Sequence, residues 1–400
     1  MPVHGRHPLH RRNPAHIGFW LIYVISVIFT FHTLLTAYNN STYMEQFVNP
    51  AVIGALYSIG SALAVFSFLF ISRVLRKVGN VRLTLWLAII ELLSLVALGL
   101  ATDPRTAIIA FVVFLTLNPL LYLSIDIFSE SLIGDNEDST GSKRGLTLGL
   151  MSMAAVIAPL TMGYLVGDDS SNLPNTYFAS AAVMTLFVLI IIARFDSFKD
   201  PEYKEIKVLQ AIQSFWDNTD VRGVFLAHFL LQFFFAWMVI YFPLYLATEI
   251  MLPWDEIGAI IAVGLFAYVL FEYPIGIVAD RWTGEKEMMA IGFVILAVAS
   301  ASISYMGAAT VAGWMALMFV SRIGASLVEA TTESYFFKHV DGSDANVMSF
   351  FRLTRPLANL IGALAGTITL LYLPFNLIFV ILGLLMIPGI FITLTIKDTK

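Results

Sequence analysis

The sequence predicts an all-α polytopic membrane protein with twelve transmembrane helices in two six-helix bundles. Three observations predict this fold class: an excess of apolar residues, twelve long apolar segments, and a repeat between the two halves of the chain. Of the 400 residues, 58% are hydrophobic and only 13% are charged, whereas soluble domains have roughly 25% charged residues. One water-soluble core cannot bury so many apolar side chains, so a lipid bilayer is the expected environment.

Each predicted helix is a stretch of about 20 mostly apolar residues, the length that crosses the hydrocarbon core. The first six stretches are 17–38, 52–72, 81–101, 106–127, 146–166 and 177–193, and the next six are 223–248, 257–279, 288–306, 311–337, 347–371 and 375–396. The predicted organisation is a tail at 1–16, a bundle at 17–193, a linker at 194–222, a second bundle at 223–396 and a C-terminus at 397–400.

Basic residues predict the orientation, because cytoplasmic loops retain Lys and Arg. With the N-terminus inside, 21 of the 23 basic residues fall in inner segments. Only Arg105 lies in an outer loop, and only Arg322 lies deep within a helix. An odd number of helices would scatter these charges over both faces. We therefore expect a multi-pass protein of the plasma membrane, of the bacterial inner-membrane type, with both termini in the cytoplasm.

Two segments outside the bundles have recognisable patterns. The basic N-terminal tail runs into a retained helix without a cleavage site and contains four histidines, which either bind metal or are simply solvated: His4, His7, His10 and His16. In the linker, apolar residues at helical spacing predict an amphipathic helix on the inner membrane surface: Val208, Leu209, Ile212, Phe215 and Trp216.

An internal repeat links the two halves of the chain. Three short patterns of the first half recur in the same order in the second half. Ile53-Gly54-Ala55 with Gly60 recurs 204 residues later as Ile257-Gly258-Ala259 with Gly264. Asp126-x3-Glu130-Ser131 recurs 203 residues later as Glu329-x3-Glu333-Ser334, and Gly163-x3-Gly167 recurs 199 residues later as Gly362-x3-Gly366. The common order and offset indicate two bundles related in parallel. Halves of this kind hold a substrate near the midplane between them and rock around it.

One loop has a distinctive sequence. Gly276-Ile-Val-Ala-Asp280-Arg281-Trp-Thr-Gly284-Glu-Lys286 lies between predicted helices 8 and 9. It resembles the signature loop of the major facilitator superfamily, with one extra residue before the second glycine. A degenerate first copy follows helix 2, where Arg76 and Gly79 align with Arg281 and Gly284 but Leu75 replaces the acid. The resemblance implies solute transport by alternating access.

Helix 5 contains small residues whose spacing is similar to the antiporter motif of drug/proton exchangers in that superfamily. The motif residues are Gly145, Pro159 and Gly163, with Ala or Met at several of the family's Gly positions. The same residues also suit close packing of any two membrane helices.

The resemblance further implies a gate at the cytoplasmic ends of the helices, where loop arginines pair with acids. The expected pairs are Arg281 with Glu333, and Arg76 with Glu130 or Asp126. The alternative is static charge pairing at the lipid interface. The predicted gate residues are Arg76, Gly79, Asp126, Glu130, Gly276, Asp280, Arg281, Gly284, Glu329, Glu333, Arg352 and Arg355.

Arg322 is the clearest buried charge, and a charge at a helix centre costs about 2.5–3.5 kcal/mol on insertion scales. We expect it to need a counter-charge, either an anionic substrate or a carboxylate such as Glu272 or Glu91, which would make a structural ion pair. A desolvated Glu272 or Glu329 could carry a proton.

In the resembled fold, helices 1, 4, 7 and 10 line the cavity. Polar residues on these and neighbouring helices are the predicted substrate and proton site, although the two histidines could equally be packing residues. The predicted set is His32, Thr36, Asn39, Asn40, Asn118, Tyr122, His228, Gln232, Trp237, Tyr241, Glu272, Arg322 and Asn359.

Several function classes are disfavoured by the sequence. The chain has no cysteine, a net charge of -5 and neither a metal-finger spacing nor a phosphate loop, and it shows no catalytic cluster. We expect no enzyme, no bound cofactor and no nucleic-acid partner. The first hypothesis is a monomeric, proton-coupled exporter of a small organic molecule. The alternative is a facilitator or symporter for a sugar or organic anion, and a scaffold or membrane enzyme comes third.

Overall fold

The computed structural model describes residues 18–133, 137–203, 219–279, 284–307, 309–339 and 354–397. The predicted N-terminal tail and the predicted amphipathic segment of the linker lie outside the described residues. Within these ranges the chain is almost entirely α-helical and contains no β-strand. This agrees with the all-α prediction.

Among the described residues, twelve long helices form the two bundles. The first bundle consists of α1 (Trp20–Ala37), α2 (Pro50–Val78), α3 (Asn80–Leu100), α4 (Pro104–Ile133), α5 (Glu137–Val166) and α6 (Leu173–Arg194), with a short helix Asn40–Glu45 after α1. The second consists of α7 (Thr219–Ile240), α8 (Trp254–Val278), α9 (Glu285–Ile303), α10 (Val311–His339), α11 (Thr354–Tyr372) and α12 (Leu377–Thr395), with a short helix Phe242–Thr248 after α7.

Eleven of the described helices are long and apolar enough to cross a membrane. The twelfth, α11, has 19 residues but includes Arg355 and Asn359. It packs between α2 and α7 and so completes the second bundle. The helix pattern is that of a multi-pass membrane protein, as the sequence predicted.

The two signature-loop copies have the same backbone turn. Gly79 has φ 79° and ψ 161° and immediately precedes α3, and Gly284 has φ 84° and ψ 165° and immediately precedes α9. Glycine adopts such a positive φ without the steric cost that a side chain imposes. The conformational match supports the alignment of Gly79 with Gly284. We call the end of the bundles with these turns the basic end, and the other end the opposite end.

The first helix of each bundle is broken near the opposite end. α1 stops at Ala37 before the short helix that starts at Asn40, and α7 stops at Ile240 before the one that starts at Phe242. Pro243 lies in the first turn of the second short helix and lacks the amide donor that a continuous helix would use. Predicted helix 7, drawn as one segment over 223–248, is therefore two helices.

The bundles contact each other through two equivalent helix pairs, α2 with α11 and α5 with α8. A Cβ atom on Gly54 would lie 2.3 Å from the carbonyl oxygen of Ala363, and one on Gly258 would lie 2.3 Å from that of Pro159. Only residues without a side chain permit such close approach. Gly54 and Gly258 are also the first pair in the sequence repeat, so the repeat marks the interface between the bundles.

Large apolar side chains cover the outer faces of the helices. Phe66, Leu93, Val298 and Phe391 are each at least 60% exposed. An apolar surface of this extent is unsuited to water and fits contact with lipid.

Candidate functional site

A buried arginine lies in the middle of the second bundle's α10. Arg322 is only 1% exposed. Its guanidinium carbon lies 5.2 Å from the ring centroid of Phe234 and 5.8 Å from that of Phe235, both on α7. These distances allow a cation–π attraction, which stabilises a cation partly but provides no hydrogen-bond acceptor.

Two tyrosines from different bundles approach this guanidinium. Tyr38 at the end of α1 and Tyr268 on α8 both lie within electrostatic range of Arg322. The hydroxyl oxygen of Tyr268 is buried and has no hydrogen-bond partner. Arg322 is therefore placed where helices of both bundles converge, beside a second polar group whose hydrogen bonds are unfilled.

Arg322 has no counter-ion among the described residues. No carboxylate oxygen lies within the 4.0 Å that defines an ion pair, and Nε and Nη1 are buried without a hydrogen-bond partner. Glu329 interacts with Arg322 electrostatically at longer range, while Glu272 is half-buried. The structural ion pair considered from the sequence is absent here, both with Glu272 and with Glu91.

A buried guanidinium of this kind is costly, because the N–H donors of Nε and Nη1 lose water and gain no hydrogen-bond acceptor in return. The arrangement suits an anionic group that enters between the bundles. The planar fork of a guanidinium matches a carboxylate or phosphate with two parallel hydrogen bonds.

A second buried polar cluster lies wholly inside the first bundle. His32 on α1 and Glu91 on α3 are both completely buried, and His32 Nε2 lies 3.4 Å from Glu91 Oε1. Asn118 on α4 donates from Nδ2 to Glu91 Oε1 at 3.2 Å and to Thr33 Oγ1 at 2.9 Å. Ser180 on α6 contacts His32 Nδ1 at 2.9 Å. Four helices thus contribute to one hydrogen-bonded group.

Tyr122 connects this cluster to the second bundle. Its ring packs edge-on against Phe29, with centroids 4.7 Å apart, and it interacts electrostatically with Glu91. The guanidinium of Arg355, at the start of α11, lies 6.0 Å from the centroid of the same ring. Asn118 and Tyr122 were both predicted as cavity residues, and the structure places both beside Glu91.

Three predicted cavity residues instead have partners within the first bundle. Asn39 donates to Thr176 Oγ1 at 2.8 Å, and Asn40 accepts from the Tyr177 hydroxyl at 2.7 Å. Thr36 is buried and donates weakly to a carbonyl of its own helix at 3.4 Å. The two asparagines bind the broken end of α1 to α6. Their placement as substrate ligands is not supported by these contacts.

The predicted residues of α7 form two groups. His228 Nε2 lies 3.3 Å from Gln232 Nε2, and His228 Nδ1 lies 3.4 Å from Thr332 Oγ1 on α10. Trp237 Nε1 donates to the carbonyl of Gly362 at 2.6 Å, and the Tyr241 hydroxyl donates to that of Ala363 at 2.9 Å. The Trp and Tyr therefore attach α7 to α11 within the second bundle. Asn359, on α11, is partly exposed.

The gate residues are only partly within the described chain. Asp280, Arg281 and Arg352 lie outside it, as does the side-chain environment of Gly276. The side chains of Arg76, Asp126, Glu130 and Glu333 are exposed near the basic end, and each takes part in at least one non-covalent interaction. Glu329 is half-buried, and Arg355 is exposed. The pairing of arginines and acids in a gate stays a prediction.

An acid that the sequence did not indicate stands at the first signature turn. Asp200, which follows α6, accepts from the Asn80 backbone amide through Oδ1 at 2.7 Å. The Tyr203 hydroxyl donates to the same oxygen, and burial followed by this hydrogen bond raises the pKa of Tyr203. The N-terminus of α3 thus receives a carboxylate from the linker, in the copy where Leu75 replaces the family's acid.

The helix-5 motif residues lie at the bundle contact. A Cβ on Gly163 would be 2.6 Å from the carbonyl oxygen of Trp254, and the Pro159 carbonyl faces Gly258. The surroundings of Gly145 are outside the described residues. Close packing against α8 accounts for Pro159 and Gly163.

The described ranges contain no group of three or more His, Asp or Glu residues arranged to hold a metal ion. The four histidines of the N-terminal tail are outside these ranges, so their two interpretations stay open.

Comparison with known proteins agrees with this geometry. Residues 224–400 match the family model of the Major Facilitator Superfamily. No curated protein matches the chain by sequence. Three solved structures superpose on 94% of the chain. The nucleoside transporter NupG is 14% identical with a TM-score of 0.76 over 98% of its own length, and a point mutant of NupG is 16% identical with a TM-score of 0.75 over 99% of its length. A POT family transporter in complex with 5-aminolevulinic acid is 14% identical with a TM-score of 0.75 over 94% of its length.

The fold class follows from these observations together. The chain has the fold of these solved transporters over 94% of its length, and residues 224–400 match the sequence model of the superfamily.

Proposed function

We propose that this protein is a secondary transporter that carries a small organic anion across the membrane by alternating access, coupled to protons. The two bundles rock about a site at Arg322. The close glycine contacts of Gly54 and Gly258 form the side that is closed in the present conformation.

The single observation that supports an anionic substrate is the unpartnered Arg322. A buried cation with two unfilled donor atoms is expensive for a membrane protein. It is explained if a solute carboxylate or phosphate completes its hydrogen bonds during each transport cycle. Phe234 and Phe235 offer apolar contact to the rest of a small solute.

The POT family neighbour is described in complex with 5-aminolevulinic acid, which is itself a small carboxylic acid. That chain is only 14% identical to the present one, so its ligand serves here as a first probe. Proton coupling is proposed because the helices contain carboxylates, Glu91 fully buried in α3 and Glu329 half-buried in α10, and such groups can take up and release protons during transport.

Efflux of an amphipathic molecule in exchange for protons is the second candidate. The spacing of Pro159 and Gly163 favours it, as does the aromatic surrounding of Arg322. The two candidates differ in the direction of solute movement relative to the proton gradient.

Transport by the purified protein in vesicles tests the proposal. The solute panel is 5-aminolevulinic acid, lactate, succinate and glucose 6-phosphate, with uridine as an uncharged probe, and each is tested with the pH gradient in both directions. We expect at least one anion to be carried and to respond to the gradient. Arg322→Gln should reduce its initial rate by about 10²-fold or more, since a charge-assisted bidentate contact is worth roughly 3 kcal/mol.

Arg105→Gln is the matched control and should leave the rate unchanged, because Arg105 is exposed in the first turn of α4. Solute movement opposite to the proton flux would establish exchange, and movement with it would establish symport. Transport of uridine alone, or an Arg322→Gln variant as active as the wild type, would contradict an anionic substrate bound at Arg322.

A further inference from the structure

We infer that the buried His32–Glu91 pair in the first bundle is the site that binds the transported proton. This inference rests on the proposed proton-coupled function and adds the residues that perform the coupling. Sequence reasoning had considered Glu91 only as a counter-ion for Arg322, and Glu272 or Glu329 as proton carriers.

The position of the pair is unusual for a structural contact. Both side chains are fully buried in a membrane helix bundle, where ionisable groups are costly. Glu91 Oε2 has no hydrogen-bond partner, and His32 Nε2 has none besides the 3.4 Å contact with Glu91 Oε1. The pair is therefore enclosed but incompletely satisfied.

Hydrogen bonding on the far side of the ring favours the histidine tautomer that carries its proton on Nδ1. The Ser180 hydroxyl donates to the carbonyl oxygen of His32 at 3.0 Å. Its single proton is thereby used, so at 2.9 Å from Nδ1 its oxygen must accept. His32 consequently carries its proton on Nδ1, and Nε2 faces Glu91 with a lone pair unless a further proton is bound.

The net charge of the His32–Glu91 pair indicates how many protons Nε2 and the carboxyl group share. One proton shared by Nε2 and the carboxyl group gives either a neutral acid beside a neutral imidazole, or a carboxylate beside an imidazolium, and both are neutral overall. Without that proton, a carboxylate faces a lone pair in a fully buried site. With a second one, an imidazolium lacks a counter-ion. Each alternative leaves an uncompensated buried charge, so the pair holds one proton in the closed conformation.

Other polar and charged groups that face the pair are few among the described residues. α4 contributes Asn118, which donates to Glu91, and Tyr122, which interacts with it electrostatically. α6 contributes Ser180, and α1 contributes Thr33 through Asn118. The guanidinium of Arg355, a full charge of the second bundle, lies 6.0 Å from the centroid of the Tyr122 ring.

Arg355 gives the proton a means of acting on the other bundle. Loss of the proton from the His32–Glu91 pair adds a negative charge behind Tyr122 and attracts Arg355 more strongly toward the first bundle. Binding of the proton removes that attraction. The protonation state of one bundle thereby biases how it associates with the other, which is the requirement for coupling.

Two measurements on Glu91→Gln test the inference. The glutamine amide can donate to His32 Nε2 as a protonated acid would, so the fold should be kept, and the melting temperature checks this. In vesicles with the fastest anion of the panel, the variant should still exchange labelled for unlabelled anion without a gradient. It should lose accumulation driven by a pH gradient, so that the anion reaches equal concentrations on both sides.

The second measurement uses the proton alone as the probe. Infrared difference spectra of the purified protein between acidic and alkaline pH should contain the carbonyl stretch of a protonated carboxyl group, and Glu91→Gln should lose that band. His32→Gln should shift the pH at which the band appears. Glu249→Gln, which removes an exposed acid outside the bundles' core, is the control and should leave both readouts as in the wild type.

The outcomes separate this inference from the proposed function. Unchanged accumulation and an unchanged band in Glu91→Gln would overturn the inference, as would a folded variant that loses exchange together with accumulation. A wild type that carries no anion of the panel but shows the Glu91 band would leave the proton site supported while the proposed substrate class fails.

Discussion

The two bundles have the same arrangement of helices but differ in whether their buried charged side chains have partners. In the first bundle, His32, Glu91, Asn118 and Ser180 contact one another across four helices. In the second, Arg322 is buried to a similar extent but has, among the described residues, neither a counter-ion nor a partner for Nε and Nη1. An acid and a base enclosed together in one bundle can hold a proton between them, whereas a buried cation without a counter-ion needs a solute. We therefore expect the first bundle to bind the proton and Arg322 of the second bundle to bind the solute.

The divergence is visible at equivalent positions of the repeat. At the offset of 203 that aligns Asp126 with Glu329, Arg322 corresponds to Pro119. The first bundle therefore has no cation at this level of α4, and its neighbouring Asn118 is instead bonded to Glu91. Backbone features such as the Gly79 and Gly284 turns are kept, because they form the helix connections of both halves.

The largest effect that tests this comparison is on stability. Glu91→Leu should lower the free energy of unfolding by about 3–5 kcal/mol, because it leaves His32 and Asn118 buried without their partner. Arg322→Met should leave it unchanged or raise it by roughly 1–4 kcal/mol, since an apolar side chain replaces an unpaired charge. Thermal unfolding in detergent without added solute measures both. Destabilisation by Arg322→Met of the same size as by Glu91→Leu would show that Arg322 has a structural partner.

A smaller effect tests the equivalence of the two interfaces. Gly54→Ala and Gly258→Ala each place a methyl group against a backbone carbonyl of the opposite bundle. Both should disfavour the conformation closed at the opposite end by about 1–3 kcal/mol and slow transport to a similar extent. Gly149→Ala is the control, because nothing lies within 4 Å of its added methyl group.

Pulsed EPR distances between spin labels at the opposite end measure the population of the conformation that is closed at that end. The chain has no native cysteine, so labelling sites can be introduced without background. Opposite shifts for Gly54→Ala and Gly258→Ala would contradict the proposal that the two contacts open and close together.

The smallest effect concerns the first signature turn. Asp200→Ala removes the acceptor of the Asn80 amide and should lower stability by about 1 kcal/mol, as for other helix N-caps. Asp168→Ala, at another exposed acid of the first bundle, should have no measurable effect. Equal melting temperatures for the two variants would mean that Asp200 does not replace the missing acid of this copy.

Sequence reasoning predicted the fold well and the site unevenly. The helical segments, the repeat and the buried Arg322 were all identified, since apolar runs and a charge within one are local features. Glu91 was considered only as a counter-ion for Arg322, and its contact with His32 was not predicted because helix 3 was expected to be peripheral. Asn39 and Asn40 were predicted as cavity residues and bond to α6 in this conformation, so their substrate role stays a prediction. α1 is apolar on most faces, so its sequence does not show which neighbour each polar residue meets.

The sequence by itself determined that this protein spans a membrane with two related helical bundles. That follows from hydropathy, length and the repeat, which do not depend on which helices touch. Only the tertiary structure decided which buried charges have partners. His32 and Glu91 are 59 residues apart in the chain and meet through the packing of α1 against its neighbours. Within the described part of the chain, the same packing leaves Arg322 without an acid. Whether a buried charge is compensated depends on contacts between helices.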